Sequence, residues 1–102
     1  MDQYYIISLK HTHRENRWIT LWRPDNRGYC YAKEDAGVYE EIKEGYHNSE
    51  FDSLPIDCSI LDDYFIPCNM DGKSKRALPN IKHVHDMLGL KMTKNGLIIN
   101  KK

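Results

Sequence analysis

The sequence has few cysteines and no long hydrophobic run, and each shortage excludes a class of protein. Its three cysteines, Cys30, Cys58 and Cys68, are odd in number and far apart, so we expect no disulfide framework and a reducing compartment. No apolar run approaches the roughly 20 residues that span a bilayer, and the first residues, MDQYY, lack the basic and apolar regions of a signal peptide. We therefore expect a cytoplasmic protein without a membrane partner.

Recognised catalytic and metal-binding motifs are also missing. The chain has no nucleophile elbow, no phosphate-binding loop, no dinucleotide fingerprint and no zinc-protease motif. Its histidines form two H-x-H pairs, His11 with His13 and His83 with His85, and these lack the spacing of structural zinc ligands. We therefore expect a protein that is not an enzyme, with no metal site and no cofactor.

The length of 102 residues predicts one domain, residues 1–102. Hydrophobic residues make up 40% and charged residues 29% of the chain, which is typical of a soluble globular protein. Because a domain of this size has little core to spare, a homo-oligomer remains open as an alternative.

Residues 18–39 contain both tryptophans and the clearest turn of the chain. Residues 18–22, WITLW, have the composition of a strand with two apolar faces, as expected for an inner strand. Residues 24–28, PDNRG, predict a turn, because proline presets φ, Asp and Asn close turns with their side chains, and glycine accepts positive φ. Residues 29–31, YCY, would return as a strand whose tyrosines lie opposite the tryptophans.

This aromatic hairpin has two interpretations. Its rings either form the core, or they line a surface that stacks on a planar ligand such as a nucleotide, because aromatic rings beside arginine suit that role. In the second interpretation the ligand-binding residues are Trp22, Arg23, Asn26, Arg27, Tyr29 and Tyr31.

The rest of the pattern predicts an α+β fold: a small antiparallel sheet packed by one helix, with a C-terminal helix and β-hairpin. Residues 4–9 form a first strand and residues 33–44 the packing helix, in which Gly37 would need a close contact with the sheet. Further along, the pattern predicts a loop at 46–54, a short helix or a strand within 55–67, and a loop at 68–78 with an Asp71-Gly72 turn. It then predicts a helix at 81–88 capped by Asn80. A type I′ hairpin follows, with arms at 90–93 and 97–100 around Asn95-Gly96.

Charge is segregated along the chain, although the total is zero. Residues 1–33 carry +3, residues 34–70 carry −9 and residues 71–102 carry +6. These blocks either neutralise one another in the fold or engage partners of opposite charge. An acidic protein-binding face would comprise Glu40, Glu41, Glu44, Asp62 and Asp63. A nucleic-acid-binding surface would comprise Lys73, Lys75, Arg76, Lys82, Lys91 and Lys94.

Residues 22–29, WRPDNRGY, followed by residues 36–39, AGVY, resemble a motif of small accessory proteins encoded by bacteriophages and prophages. The similarity includes a YYII-type N-terminal strand and covers about the first 45 residues. It implies a small phage-type α+β protein in the host cytoplasm. Many phage genes of this size encode inhibitors of host enzymes or of host defence systems.

The sequence thus leaves three hypotheses of function. The first is a non-enzymatic, phage-encoded protein that blocks a host or defence protein. The second is a protein that binds or sequesters a nucleotide or other small ligand at the aromatic hairpin. The third is a nucleic-acid binder that uses the basic C-terminal helix and hairpin.

Overall fold

The computed structural model describes residues 2–100 and shows an α+β fold of antiparallel sheets and two short helices. Eight strands form one four-stranded sheet, in the order β3-β2-β1-β4, and two separate hairpins, β5-β6 and β7-β8. The elements are β1 Tyr4–Ser8, β2 Leu21–Trp22, β3 Tyr29–Cys30, β4 Ser53–Asp57, α1 Cys58–Leu61, β5 Ile66–Met70, β6 Lys73–Ala77, α2 Lys82–Met87, β7 Leu90–Thr93 and β8 Gly96–Ile99. None of the helices within the described range has the length and apolar character required to cross a membrane.

The predicted aromatic hairpin is present, and its central pairing is confirmed. In the register of β2 and β3, Trp22 lies opposite Tyr29, and their rings meet edge to face with centroids 6.1 Å apart. Cross-strand aromatic pairs of this kind stabilise antiparallel sheets. β2 lies between β1 and β3, so the prediction of an inner strand is also correct.

The strand predicted at residues 18–22 is shorter than expected. The backbone N–H of Thr20 donates to the side-chain hydroxyl of Thr12, at 3.0 Å. The N–H of Ile19 donates to the carbonyl of Leu78, at 2.9 Å. Because these donors are used outside the sheet, regular pairing is confined to Leu21–Trp22.

The helix predicted at residues 33–44 is wrong. Only Lys33–Asp35 coils, as a 3₁₀ turn, and residues 36–44 contain no helix. The N–H of Gly37 donates to the carbonyl of Trp22 at 2.9 Å, and Tyr39 exchanges two backbone hydrogen bonds of 2.8 Å with Tyr4. Pairing with the sheet satisfies these backbone groups and outweighs a local helical preference that Gly37 already weakens.

The loop predicted at residues 46–54 ends earlier than expected, because β4 begins at Ser53 and pairs along the whole of β1. β4 lies at the sheet edge, where Pro55 removes no hydrogen bond from a further strand. The short helix predicted within 55–67 is confirmed as α1, and the carboxylate of Asp57 accepts from the N–H of Ser59 at its start.

The loop predicted at residues 68–78 is instead the β5–β6 hairpin. Its turn, Asp71-Gly72, has positive φ at both residues, 52° and 78°, as a type I′ turn requires. One face of this hairpin is exposed, while Cys68, Met70 and Ala77 on the other face are partly or fully buried. The strands were missed because β6 is polar, KSKRA, and β5 contains a proline, which weakens a strand prediction.

The C-terminal helix and hairpin are confirmed as α2, β7 and β8, with two differences of detail. Asn80 does not cap α2; Ile81 precedes the helix and no side chain caps it. The hairpin turn is not type I′, because Lys94 and Asn95 have ordinary φ and only Gly96 is positive. The hydroxyl of Thr93 accepts from the N–H of Asn95 and thereby stabilises this different turn.

One contiguous core joins the sheet, α1, α2 and the C-terminal hairpin. Strand β1 contributes Tyr5 and Ile7 to this core, and Ile6, on the opposite face of the strand, is also fully buried. Leu61 of α1 and Val84 of α2 pack into the same cluster. The aromatic hairpin therefore projects from a sheet that is held on one side by packed helices and loops.

Candidate functional site

A tight turn shapes the tip of the aromatic hairpin. Pro24–Asn26 forms a 3₁₀ turn in which Asp25 and Asn26 take left-handed φ values of 58° and 59°. The N–H of Arg23 donates to the carbonyl of Gly28 at 2.8 Å, and its side-chain Nε donates to the carbonyl of Tyr29 at 2.9 Å. These bonds hold the hairpin tip in one conformation and place Tyr29 beside Arg23.

A cleft of about 600 Å³ lies between the aromatic hairpin, the loop at residues 11–16 and the β5–β6 hairpin. We call it the hairpin cleft. Its volume is in the range of small-molecule sites, about 300–1,000 Å³. The chemically important lining residues are His11, His13, Arg23, Tyr29, Tyr31, Asp35 and Lys75.

The hairpin cleft is lined by two cations and two carboxylates, Arg23 and Lys75 with Asp35 and Asp71. The Nζ of Lys75 binds the carboxylate of Asp35 at 2.7 Å, which raises the pKa of Lys75 and neutralises that carboxylate. Arg23 takes part in no ion pair within residues 2–100. Its guanidinium charge is therefore available to a ligand.

A second cleft of about 390 Å³ lies on the other side of Tyr29, and we call it the tryptophan cleft. Its lining includes Lys10, His11, Trp22, Asn26, Tyr29 and Tyr46. The Trp22 indole is 8% exposed, and its Nε1 is the one buried side-chain polar atom within residues 2–100 that has no hydrogen-bond partner.

His47 does not line the tryptophan cleft but packs against two aromatic residues that do. Its ring contacts the rings of Trp22 and Tyr46, with centroids 5.4 and 5.0 Å away. The backbone N–H of Lys43 donates to Nδ1 of His47 at 2.9 Å, so Nδ1 carries no proton. The proton of the neutral ring must then lie on Nε2, which donates to Oδ1 of Asn26 at 2.7 Å.

We expect the protein to lose stability as the pH falls below about 6.5. Burial lowers the pKa of both His47 and His85 below their ordinary value of 6.5, so the folded state binds fewer protons than the unfolded state in that range. The contribution of the two neutral histidines to the free energy of unfolding is therefore fully present above pH 6.5 and is lost as the pH falls through the folded pKa values. The slope of this loss is at most about 1.4 kcal/mol per pH unit for each histidine.

Urea unfolding between pH 5 and 8 measures this slope. The His47→Gln variant should show a shallower slope, whereas His83→Gln, on the exposed side of α2, is the matched control. A slope unchanged by His47→Gln would show that protonation of His47 does not oppose folding.

The thiol in the hairpin cleft is not activated as a nucleophile. Burial raises the pKa of Cys30 to about 11, so it is protonated near neutral pH. Within residues 2–100, no group of three or more His, Cys, Asp or Glu side chains is arranged to hold a metal ion. The exposed tyrosines of this cleft can stack on a planar ligand, and Arg23 can attract an anion.

The structure brings together five of the six predicted ligand-binding residues. Arg23, Tyr29 and Tyr31 line the hairpin cleft, while Trp22, Asn26 and Tyr29 line the tryptophan cleft. Arg27 lines neither cleft.

Sequence reasoning missed several lining residues, chiefly Lys10, His11, His13, Tyr46 and Lys75. The H-x-H pair in a loop next to the hairpin was a usable signal for the two histidines. The residues around Lys75 in the sequence do not predict its place in the cleft. Lys75 lines the cleft because the β5–β6 hairpin packs there.

The acidic and basic blocks meet partly within the fold. Lys75 pairs with Asp35 and Arg76 with Glu34 across the two blocks, whereas Lys82 pairs with Asp86 within the basic block. These pairs use three of the six residues predicted to bind nucleic acid, leaving Lys73, Lys91 and Lys94.

The five residues of the predicted acidic face come from two separate segments. The carboxylate of Asp62 accepts a hydrogen bond from the hydroxyl of Tyr5 at 2.7 Å and forms an ion pair with Lys33 at 3.3 Å. The carboxylate of Glu44 accepts a hydrogen bond from the side-chain amide of Asn48. Glu40, Glu41 and Asp63 are exposed.

No protein-family model, no curated protein and no solved structure matches the chain.

Proposed function

We propose that this chain is a non-enzymatic binding protein whose ligand is a nucleotide-type molecule, a planar ring bearing phosphate, held in the hairpin cleft. One observation carries the proposal: two tyrosines, 45% and 40% exposed at positions 29 and 31, flank a cleft of about 600 Å³ that also contains Arg23. Tyrosines of a small domain are usually more deeply packed, and here the two share a wall with an arginine.

The chemistry of these side chains suits both parts of a nucleotide. A base that stacks on a tyrosine gains about 1–3 kcal/mol, and most bases are accepted because each has a π face. The guanidinium of Arg23 presents a planar set of donors that matches phosphate oxygens. Binding that ends in sequestration needs no activated nucleophile, in agreement with the protonated Cys30.

Titration calorimetry of the full chain with the four common ribonucleoside monophosphates tests this proposal. We expect Tyr31→Ala and Arg23→Gln each to weaken binding about tenfold, because one loses a stacking surface and the other a charge-assisted hydrogen bond. Arg27→Gln is the matched control, since it removes the same charge outside both clefts and should bind like the parent.

Absence of measurable heat and of any thermal shift with all four nucleotides at millimolar concentration would contradict the proposal. Equal weakening by Arg23→Gln and Arg27→Gln would also contradict it, because binding would then follow net charge rather than the cleft.

The blocking of a host or defence protein is a second candidate, favoured by a different surface. Phe51 is 74% exposed and lies beside Ile98 in a shallow depression that Lys91 and Ile99 also line. An exposed apolar residue of this size is a common anchor in protein interfaces. The resemblance to phage accessory proteins supports this candidate as well, and the free thiols support a cytoplasmic location for both.

Nucleic-acid binding through the C-terminal block has weaker support. Lys75, Arg76 and Lys82 already bind carboxylates of the same chain, so fewer cations remain to replace counterions on a phosphate backbone.

A further inference from the structure

The hairpin cleft and the tryptophan cleft share one wall. His11 and Tyr29 line both clefts, and their rings lie against each other with centroids 4.2 Å apart and planes tilted by 47°. The two clefts are therefore neighbours on opposite sides of a single pair of side chains.

Each cleft is lined by one carboxylate without an ion pair in the described chain, Asp71 in the hairpin cleft and Asp52 in the tryptophan cleft, and each also has an exposed aromatic ring and a cation that forms no ion pair. In the hairpin cleft these are Tyr31 and Arg23. In the tryptophan cleft they are Tyr46, which is 48% exposed, and Lys10, which forms no ion pair within the described chain. Volumes of about 600 and 390 Å³ allow each cleft to hold one planar group.

We propose that the two clefts together hold one dinucleotide, with a base in each cleft and the phosphate linkage crossing the wall formed by His11 and Tyr29. The inference rests on the proposed function, because it takes the hairpin cleft as a nucleotide site and adds the tryptophan cleft as its second half. Arg23 and Lys10 stand on the two sides of that wall and attract the phosphate charge.

Joining two weakly bound units makes the second binding step intramolecular. Affinity then exceeds that of either unit by about 10²–10⁴ without any new contact, provided that the linker spans both sites. We therefore expect a dinucleotide to bind at least about 100-fold more tightly than the mononucleotide from which it is built.

Calorimetry on the full chain compares adenosine and guanosine monophosphates with the corresponding linear and cyclic dinucleotides. The linear and cyclic forms share the same chemistry, and their comparison shows which geometry fits the wall. Lys10→Gln and Tyr46→Ala should each reduce dinucleotide affinity by about tenfold or more, and each should weaken mononucleotide binding in the tryptophan cleft while the hairpin cleft still binds one mononucleotide. Lys94→Gln, at the exposed turn between β7 and β8, is the matched control and should change neither.

The outcomes separate this inference from the proposed function. If mononucleotides bind and neither dinucleotide binds more than about threefold tighter, the shared site is overturned while the hairpin cleft remains a nucleotide site. If no nucleotide binds, both proposals fail. Because Tyr46 packs on Trp22, Tyr46→Ala can unfold the chain; the exposed Lys10→Gln variant then decides, and an unchanged dinucleotide affinity in it overturns the inference.

Discussion

Replacing Gly37 by alanine should lower the free energy of unfolding by about 3 kcal/mol. A Cβ at this position would lie 2.8 Å from both the N and Cα atoms of Pro24 and 2.7 Å from Cε1 of Tyr39. The Pro24 atoms belong to the backbone of the hairpin tip and cannot rotate away. The clash would push residue 37 off the sheet and lengthen its 2.9 Å hydrogen bond to the carbonyl of Trp22.

Thermal and urea unfolding followed by circular dichroism measure this loss. In a domain of about 100 residues, 3 kcal/mol corresponds to a decrease in Tm of roughly 15 °C. Val38→Ala is the matched control, because that side chain is half exposed and its truncation should cost less than about 0.5 kcal/mol. A loss below about 1 kcal/mol in Gly37→Ala would mean that the hairpin tip yields easily, contrary to the packing described here.

Replacing Asn80 by aspartate should lower the free energy of unfolding by about 2–3 kcal/mol. The Nδ2 group of Asn80 donates to the carbonyls of His13 and Asn16, at 3.0 and 2.8 Å. Its Oδ1 faces Nε2 of His85 at 2.6 Å. Carbonyls only accept, so the amide orientation is determined and Nε2 of His85 must donate.

Aspartate has the same shape but places an acceptor oxygen against both carbonyls, so two hydrogen bonds become two repulsive contacts. These bonds connect the loop at residues 11–16 to α2, and their loss should detach that loop, which also carries two histidines of the hairpin cleft. Urea unfolding measures the loss of stability in Asn80→Asp. Asn95→Asp, the same exchange at an exposed turn, is the matched control. Equal stability of the two variants would show that the Asn80 amide does not hold the loop.

Short-range chemistry accounts for what could be predicted of the fold. The turn at residues 24–28, the pairing of Trp22 with Tyr29 and the end of α2 at Gly89 each depend on a few neighbouring residues with special backbone freedom or strong cross-strand preference. The turn at Asp71-Gly72 was recognised by the same logic, although its flanking strands were not, since β6 is polar and β5 contains a proline.

The helix expected at residues 33–44 shows why the rest could not be predicted. Ala36, Tyr39 and Ile42 are spaced by three residues, and Val38 and Ile42 by four, which matches a helical pattern. The same spacing is present in the sequence when the chain does not form a helix. The conformation of this segment depends on whether a partner strand is available for backbone hydrogen bonds, and here Tyr4 provides them for Tyr39. That partner is 35 residues away, beyond the reach of any local pattern.

The sequence by itself determined the α+β class, the tight turns and the aromatic and arginine side chains of the hairpin, because these follow from residue type and near neighbours. Only the tertiary structure decided that Tyr29 and His11 would form a common wall between two clefts, and that Lys75 would neutralise Asp35 beside Arg23. Such pairings depend on which distant segments the burial of one shared core brings together. That packing determines which side chains from distant segments become neighbours, and the local sequence around a residue does not predict them.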